Sequence, residues 1–455
     1  MELCTFIANN MFTISNKMLA GVLLITLSVS MKAFSQDPEQ KNTLTLSEVW
    51  KKTSAYNKQL QMKQLSVESA EARVKNAKTE RLPEVSGGGM YARFSNFALY
   101  EDGILHAPTQ IPIEKKGTYK VSGEAFLNLY NGGKITREIH AAETEAELAA
   151  EQKNLTEQEL RYKAAAYYLE IYRNYQYEKV MLQDIAEREK ELEEIRHLQQ
   201  NGVVLKSDVL RAELRLSKQK MTLLEIRNSL KIAMQRLNIM MGDPDANIIR
   251  IANDTINPIP RERTYEDYLN DAYENSFEFK ISEKETKLSE LKLQQVKSNI
   301  MPKVGLFAEY GYSFPQILMY PYSFNLYGLG MAGVKASLPI SQLYTNKHRK
   351  AEARINLERQ EVEHADTKDR VREEVNTAYL RYTEALTRIR VAKENIAQAK
   401  ENFRIVNNTY FNQLSLLTDL LDAETQLLQS RFDLTTAEVT AQLQYYQLLK
   451  ATGNL

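Results

Sequence analysis

Asp419 and Asp422 stand three residues apart in a helical pattern, so both carboxylates project from one helix face about one turn from its start. Carboxylates so placed attract cations when they converge. They can also serve the turn before the helix, as Asp208 can at the equivalent place in an earlier copy of the pattern. Other chemistry finds little support. His106, His140, His197, His348 and His364 lie far apart without paired helical ligand spacing, and Cys4 is the only cysteine, so no metal site is expected. Glu193-Glu194 and Glu373-Glu374 fall inside helical charge patterns and read as solvated faces. No nucleophile stands beside a base, and neither catalysis nor a cofactor is expected. The turns themselves are apolar: Gly202, Val203, Val204 and Leu205 make up one, and Leu414, Leu416 and Leu417 lie in the other. Exposed apolar turns beside charged helices point to a partner surface, with packing of the two turns on each other as the alternative.

The two turns correspond because the chain is written twice. Residues 45–93 align without a gap with 264–312, matching Thr45 with Thr264, Pro83 with Pro302 and Tyr91 with Tyr310. A second block pairs Leu127 with Leu338, Asn201 with Asn412, Asp208 with Asp419 and Gly242 with Gly453. The repeated unit is helix, strand, variable loop, strand, helix, helix. The expected organisation is a signal peptide over 1–35, a first repeat over 36–242, a turn-rich linker over 243–263 and a second repeat over 264–455.

From about 132 to 200 there is no proline and, after Gly133, no glycine, while charged residues alternate with Leu, Ile, Ala and Tyr at three and four spacing. This predicts a helix about 100 Å long. The second copy has the same element from about 342 to 411. Shorter helices are expected over 45–81, 205–241, 264–300 and 416–451, two of which laid end to end match one long one. The Tyr167, Tyr168, Tyr172 and Tyr175 stripe reads as packing between such helices. On helices alone, a soluble coiled-coil scaffold fits as well as anything else.

The strands change that reading. After Pro302, Val304, Leu306, Ala308, Tyr310, Tyr312 and Phe314 alternate with Gly305, Phe307, Glu309, Gly311 and Ser313. Val334, Ala336 and Leu338 alternate with Lys335 and Ser337, and Val121, Gly123, Ala125 and Leu127 alternate with Lys120, Ser122, Glu124 and Phe126. Such period-two segments, one face apolar and the other small or polar, are the pattern of transmembrane barrel strands. Aromatic residues crowd their loop ends, at Phe94, Phe97, Tyr100, Tyr119, Phe314, Tyr320, Tyr322, Phe324 and Tyr327, as interfacial girdles do. Four strands cannot close a barrel, so the barrel must be shared between chains. Two chains would fill its interior, and three, with twelve strands, would leave a water-filled lumen.

Lys plus Arg equals Asp plus Glu at 59 each, which offers no basic field for nucleic acid. An apolar stretch over 18–31 between Lys17 and Lys32, followed by Ala33-Phe34-Ser35, fits a signal peptide cleaved after Ser35. Cleavage would remove Cys4 and leave a mature chain without cysteine and without an 18-residue apolar run.

The tandem repeat, the junctions Leu82-Pro83 and Met301-Pro302, the strand exit Asn128-Leu129-Tyr130-Asn131-Gly132-Gly133, and the tip motifs over 201–210 and 418–424 together resemble the TolC family of bacterial outer-membrane efflux proteins. The resemblance covers nearly all of the mature sequence. It implies a membrane α+β protein, each protomer giving four transmembrane strands and long coiled-coil helices to a homotrimer. That trimer would form a twelve-stranded barrel in outer-membrane lipid and a twelve-helix periplasmic tunnel. It further implies a passive exit duct for small molecules or proteins, docked on a periplasmic adaptor and an inner-membrane pump. The competing class is a periplasmic coiled-coil adaptor or structural protein, which would carry one hairpin rather than two. On this likeness Asp419 and Asp422 match an acidic ring at the closed aperture, and Tyr410 and Asp208 match a closed-state tether. Gly202, Val203, Val204, Leu205 and Ser207, with Leu414, Leu416, Leu417 and Thr418, match the adaptor-docking tips. The sequence departs from the family where Pro339-Ile340-Ser341 lacks the Gly-Gly, where Gln413 replaces a common glycine, and where Ser415 replaces a basic residue of some members. The chain stops at Leu455, directly after its last helix, so no long extension thickening a mid-tunnel collar is expected.

Overall fold

The computed structural model describes residues 43–113, 117–251, 263–315 and 323–455. The expected signal peptide, Cys4, most of the expected linker, Tyr320 and Tyr322 lie outside the described residues. The architecture belongs to Thr45–Leu455, one structural unit; Thr43–Leu44 is a short extended stretch of the other.

Each half opens on a reciprocal cap. Thr45 Oγ1 accepts the Glu48 N–H at 3.3 Å while the Glu48 carboxylate accepts the Thr45 N–H at 2.8 Å, and Thr264 and Asp267 repeat the arrangement at 3.3 and 3.0 Å. These caps start α1 (Leu46–Tyr56) and α5 (Tyr265–Asn275). The sequence pattern predicts that each helix runs on unbroken to the strand. Instead Asn57 and Ser276 are extended, both with ψ 124°, and α2 (Lys58–Thr79) and α6 (Phe277–Ser298) begin anew. Asn57 closes α1 through its N–H on Thr53 O at 2.9 Å and opens α2 by accepting the Gln59 N–H on its side chain at 2.9 Å. A residue that satisfies both helix ends makes the break inexpensive.

Strands β1 (Glu84–Arg93), β2 (Gly117–Tyr130), β3 (Lys303–Phe314) and β4 (Tyr327–Ser337) form one antiparallel sheet in that order. The β2–β3 pairing joins the two halves. Register stacks Val85, Ala125, Ala308 and Ala332 in one row, and Leu127, Leu306 and Val334 in another. The same face carries Val121, Tyr310 and Tyr312, all exposed in the single chain. Lys120, Glu124, Glu309 and Lys335 lie on the opposite face, where Lys120 pairs with Glu309 at 2.7 Å.

Helix α3 (Lys134–Gln200, 67 residues) turns back into α4 (Lys206–Met241), and α7 (Gln342–Phe411, 70 residues) turns back into α8 (Leu417–Ala451). Near the sheet the packing order is α2, α3, α6, α7; toward the hairpin tips it is α4, α3, α8, α7. Buried residues between these helices form successive cores, one around Val375, Ala378 and Tyr382, another around Ile185, Ile195 and Leu420 close to the tips. Among the described residues the layer therefore ends on α2 or α4 at one side and α7 at the other, just as the sheet ends on β1 and β4. Apolar side chains remain exposed along α4 at Leu210, Leu214, Met221, Leu224, Ile232 and Ile239. They also remain exposed along α7 at Ile355, Val362, Leu380, Val391 and Ile405, in both helices at intervals close to whole turns.

Candidate functional site

The two tip turns share one hydrogen-bond scheme. After α3, Gly202 adopts φ +75°, its N–H bonding Gln199 O at 3.0 Å and the Val203 N–H bonding Leu198 O at 2.8 Å. After α7, Gln413 adopts φ +63°, its N–H bonding Tyr410 O at 2.8 Å and the Leu414 N–H bonding Thr409 O at 2.8 Å. Each is a Schellman end, which returns two orphan carbonyls of the last turn to service. Each following helix is started by an Asp that reaches back: Asp208 accepts the Leu205 N–H at 3.2 Å, and Asp419 the Leu416 N–H at 3.1 Å. Ser415 accepts a hydrogen bond from Thr409 at 3.1 Å.

The tip side chains divide in two. Leu205, Leu414 and Leu416 are 72, 78 and 69% exposed, and Gly202, Val203, Ser207 and Thr418 are exposed as well. Leu417 is not: at 4% exposure it belongs to the core near the tips, and Val204 packs half-buried against that core. The expectation of an open tip surface is corrected for these two, because the first turn of α8 and the residue entering α4 fold their side chains back between the hairpins.

Asp419 and Asp422 are both exposed on α8. Tyr410 is buried, and its hydroxyl has no hydrogen-bond partner among the described residues. Burial first, and then the charge of Asp208, push this phenol above its ordinary range. The expected Tyr410 to Asp208 link is therefore proximity without a hydrogen bond in the single chain, since the Asp208 carboxylate is engaged at the start of α4.

A further group was not anticipated as a unit. Arg188 of α3, 8% exposed, bonds Glu424 of α8 and Glu191, and lies 3.7 Å from Asp184. Gln219 of α4 donates to Asp184. Burial raises the Asp184 carboxyl and lowers the Arg188 guanidinium, each opposed by the other's charge. A sequence signal existed. Met181, Ile185, Arg188, Leu192 and Ile195 follow a heptad seam, as do Ala212, Leu216, Gln219, Leu223 and Ile226, and Leu417, Leu420, Glu424 and Leu427. Three polar residues replace apolar ones on three seams that meet.

Among the described residues no group of His, Cys, Asp or Glu is placed to hold a metal ion. The arrangement offers a sheet with one apolar and one charged face, set on long helical hairpins that end in apolar tips and exposed carboxylates. A search of curated proteins finds no match. Among solved structures, the outer membrane protein VceC from Vibrio cholerae matches at a TM-score of 0.74 with 17% identity, covering 90% of this chain and 96% of its own. CusC, described in terms of conformational changes accompanying folding and transmembrane channel formation, matches at 0.76 with 15% identity, covering 90 and 92%. The open state of the MtrE outer membrane channel of Neisseria gonorrhoeae matches at 0.70 with 17% identity, covering 90 and 88%. At these identities the likeness is one of fold. The model of the outer membrane efflux protein family matches residues 49–243 and 268–454. With its two halves matched in turn and its fold shared with outer-membrane channels, the chain belongs to the outer membrane efflux protein family.

Proposed function

We propose that three copies of this chain close into one outer-membrane efflux channel, a passive exit duct for molecules delivered by an inner-membrane pump through a periplasmic adaptor. Efflux across the outer membrane is the activity of the family, and the helices would then stand in the periplasm. The observation that carries the trimeric reading is that sheet and helical layer run out at the same two sides of the chain. β1 follows α2 at one side and β4 precedes α7 at the other. Open strand edges in lipid leave backbone groups unpaired at several kcal/mol each, and pairing β1 of one copy with β4 of the next removes them. The exposed apolar stripes on α4 and α7 would then face each other between copies. Three copies give a twelve-stranded barrel with a wet lumen and a twelve-helix tunnel, where two would give a filled barrel. The apolar face with Val85, Val121, Tyr310 and Val334 would meet lipid, and the Lys120–Glu309 face would line the lumen.

In this assembly Asp419 and Asp422 of three copies converge as an acidic aperture, with Asp208 and Tyr410 beside it holding the closed state. Gly202, Val203, Leu205, Ser207, Leu414, Leu416 and Thr418 present the docking surface to the adaptor, over the packed support of Val204 and Leu417. The mature protein in mild detergent is expected to have three times the protomer mass and to conduct in planar bilayers. A monodisperse monomer, soluble without detergent, would overturn this. Replacing Val203 and Leu416 by Asp is expected to abolish adaptor-dependent export at normal trimer yield; normal export would place docking elsewhere.

A further inference from the structure

Arg188, Gln219 and Glu424 are the polar members of the otherwise apolar heptad runs 181–195, 212–226 and 417–427, one on each of α3, α4 and α8, and they meet in one buried layer. The layer lies about 18 Å from the C-terminal end of α3 and about 10 Å from the start of α8, counted at 1.5 Å per residue. We propose that it is a positioning element for the aperture, a breakable joint that holds α8, and with it Asp419 and Asp422, in its present register on α3. This rests on the reading that α8 carries the aperture.

The argument starts from what a seam residue does. Apolar seam residues hold two helices together by burial, and the contact is lost only gradually as they slide. A buried ion pair differs: its net contribution is small because desolvation offsets attraction, yet it tolerates one geometry only. Polar seam residues accordingly set register more than strength. Arg188 is the one group of the layer that crosses between hairpins, bonding Glu424 on α8 while its own helix supplies Asp184, Glu187 and Glu191. From α4 come Gln219, which bonds Asp184, and the nearby charge of Arg215; from α8 comes Arg431; and from α7 the Phe403 ring lies 5.8 Å from the guanidinium. The second carboxylate oxygen of Glu424 and Nε of Arg188 make no hydrogen bond among the described residues. The joint is thus only partly satisfied, and moving α8 away would let water reach groups that the packed state leaves wanting.

Two variants should move the channel in opposite directions. Glu424→Leu leaves Arg188 without its partner across the hairpins, and the opening frequency of the trimer in planar bilayers is expected to rise at least fivefold. Replacing the layer throughout, with Asp184→Leu, Arg188→Met, Gln219→Leu and Glu424→Leu together, removes the breakable joint and leaves an apolar seam. This variant is expected to match or exceed the heat resistance of the native trimer while opening at least fivefold less often. Glu424→Asp, which keeps the charge, should return within twofold of the native value. If Glu424→Leu fails to assemble, the fourfold variant still decides, since native opening in a stable apolar seam overturns the proposal. Native opening by Glu424→Leu, or a fourfold variant that opens more often, overturns it too. A native trimer that carries no current would instead overturn the channel reading itself.

Discussion

At the first strand exit Gly132 and Gly133 both take left-handed conformations, φ +71° and +77°, and Arg137 anchors the turn by donating to Gly132 O at 2.6 Å. The second exit has Pro339-Ile340-Ser341, stays right-handed at Ser341 with φ −61°, and turns through short bonds such as Gln342 N–H to Pro339 O at 2.9 Å. The tips behave otherwise. Gly202 and Gln413 are different residues in the same left-handed conformation with the same two hydrogen bonds. The exit can be made by two backbone routes, and each copy takes the one its residues allow. Both tips keep one route: a Schellman end is followed within a few residues by an Asp-capped helix, and Gln413 takes the left-handed conformation that Gly202 adopts at lower cost.

Four pairs of changes break or sharpen this comparison, in falling order of effect. Gly132→Val should cost the most, about 3 kcal/mol, since a left-handed β-branched residue costs roughly 1–2 kcal/mol and overpacking adds about as much. A Cβ there would lie 2.5 Å from Met301 Cβ. Ser341→Ala at the other exit should stay within about 0.5 kcal/mol, as surface changes do. Thermal unfolding midpoints of the detergent-solubilised protein measure both, and equal losses would dissolve the distinction between the exits.

At the tips, Gly202→Val should cost about 1–2 kcal/mol from the backbone alone. Nothing lies within 4 Å of the added Cβ. Gln413→Gly should be neutral or stabilising by up to about 1 kcal/mol, as strain relieved is partly offset by chain entropy. A clear loss on Gln413→Gly would show that its side chain, not its φ, holds the turn.

Asp208→Ala and Asp419→Ala should each cost about 1 kcal/mol by freeing the N–H of Leu205 or Leu416. Their equal stability loss tests the shared capping role. Cation selectivity in planar bilayers separates them: it should fall with Asp419→Ala combined with Asp422→Asn, and change little with Asp208→Ala. Unchanged selectivity in the first case would leave Asp419 as a cap only.

The smallest effect belongs to the caps of α1 and α5. Hydrogen bonds from the Thr45 backbone and side chain lower the Glu48 carboxyl, and those from Thr264 lower Asp267 in the same order of importance. A lowered carboxyl contributes stability that is present above its unfolded pKa and is lost as pH falls through its folded one. Thr45→Ala and Thr264→Ala should flatten the acid side of the stability profile to the same small degree; hydrogen exchange in the first turn of each helix would record it. A difference between them would mean that the halves differ even where their geometry agrees.

Sequence by itself determined the tandem plan, the long helices and the strand faces. A chain without proline or glycine over nearly seventy residues has few ways to stop a helix, and alternation of Val, Ala and Tyr with Lys, Ser and Glu assigns each side chain a face wherever a strand forms. It also placed Asp208 and Asp419 at equivalent turns. Tertiary structure decided the rest. Leu416 and Leu417 are neighbours of identical chemistry, yet one is exposed and the other buried, because only the packed hairpins say which side of α8 is inside. The breaks at Asn57 and Ser276 interrupt patterns that read as continuous. Arg188 and Glu424 are 236 residues apart and became partners only when α3 and α8 came to lie side by side. Periodicity tells which residues share a face; which faces meet is settled by the packing of all the helices at once.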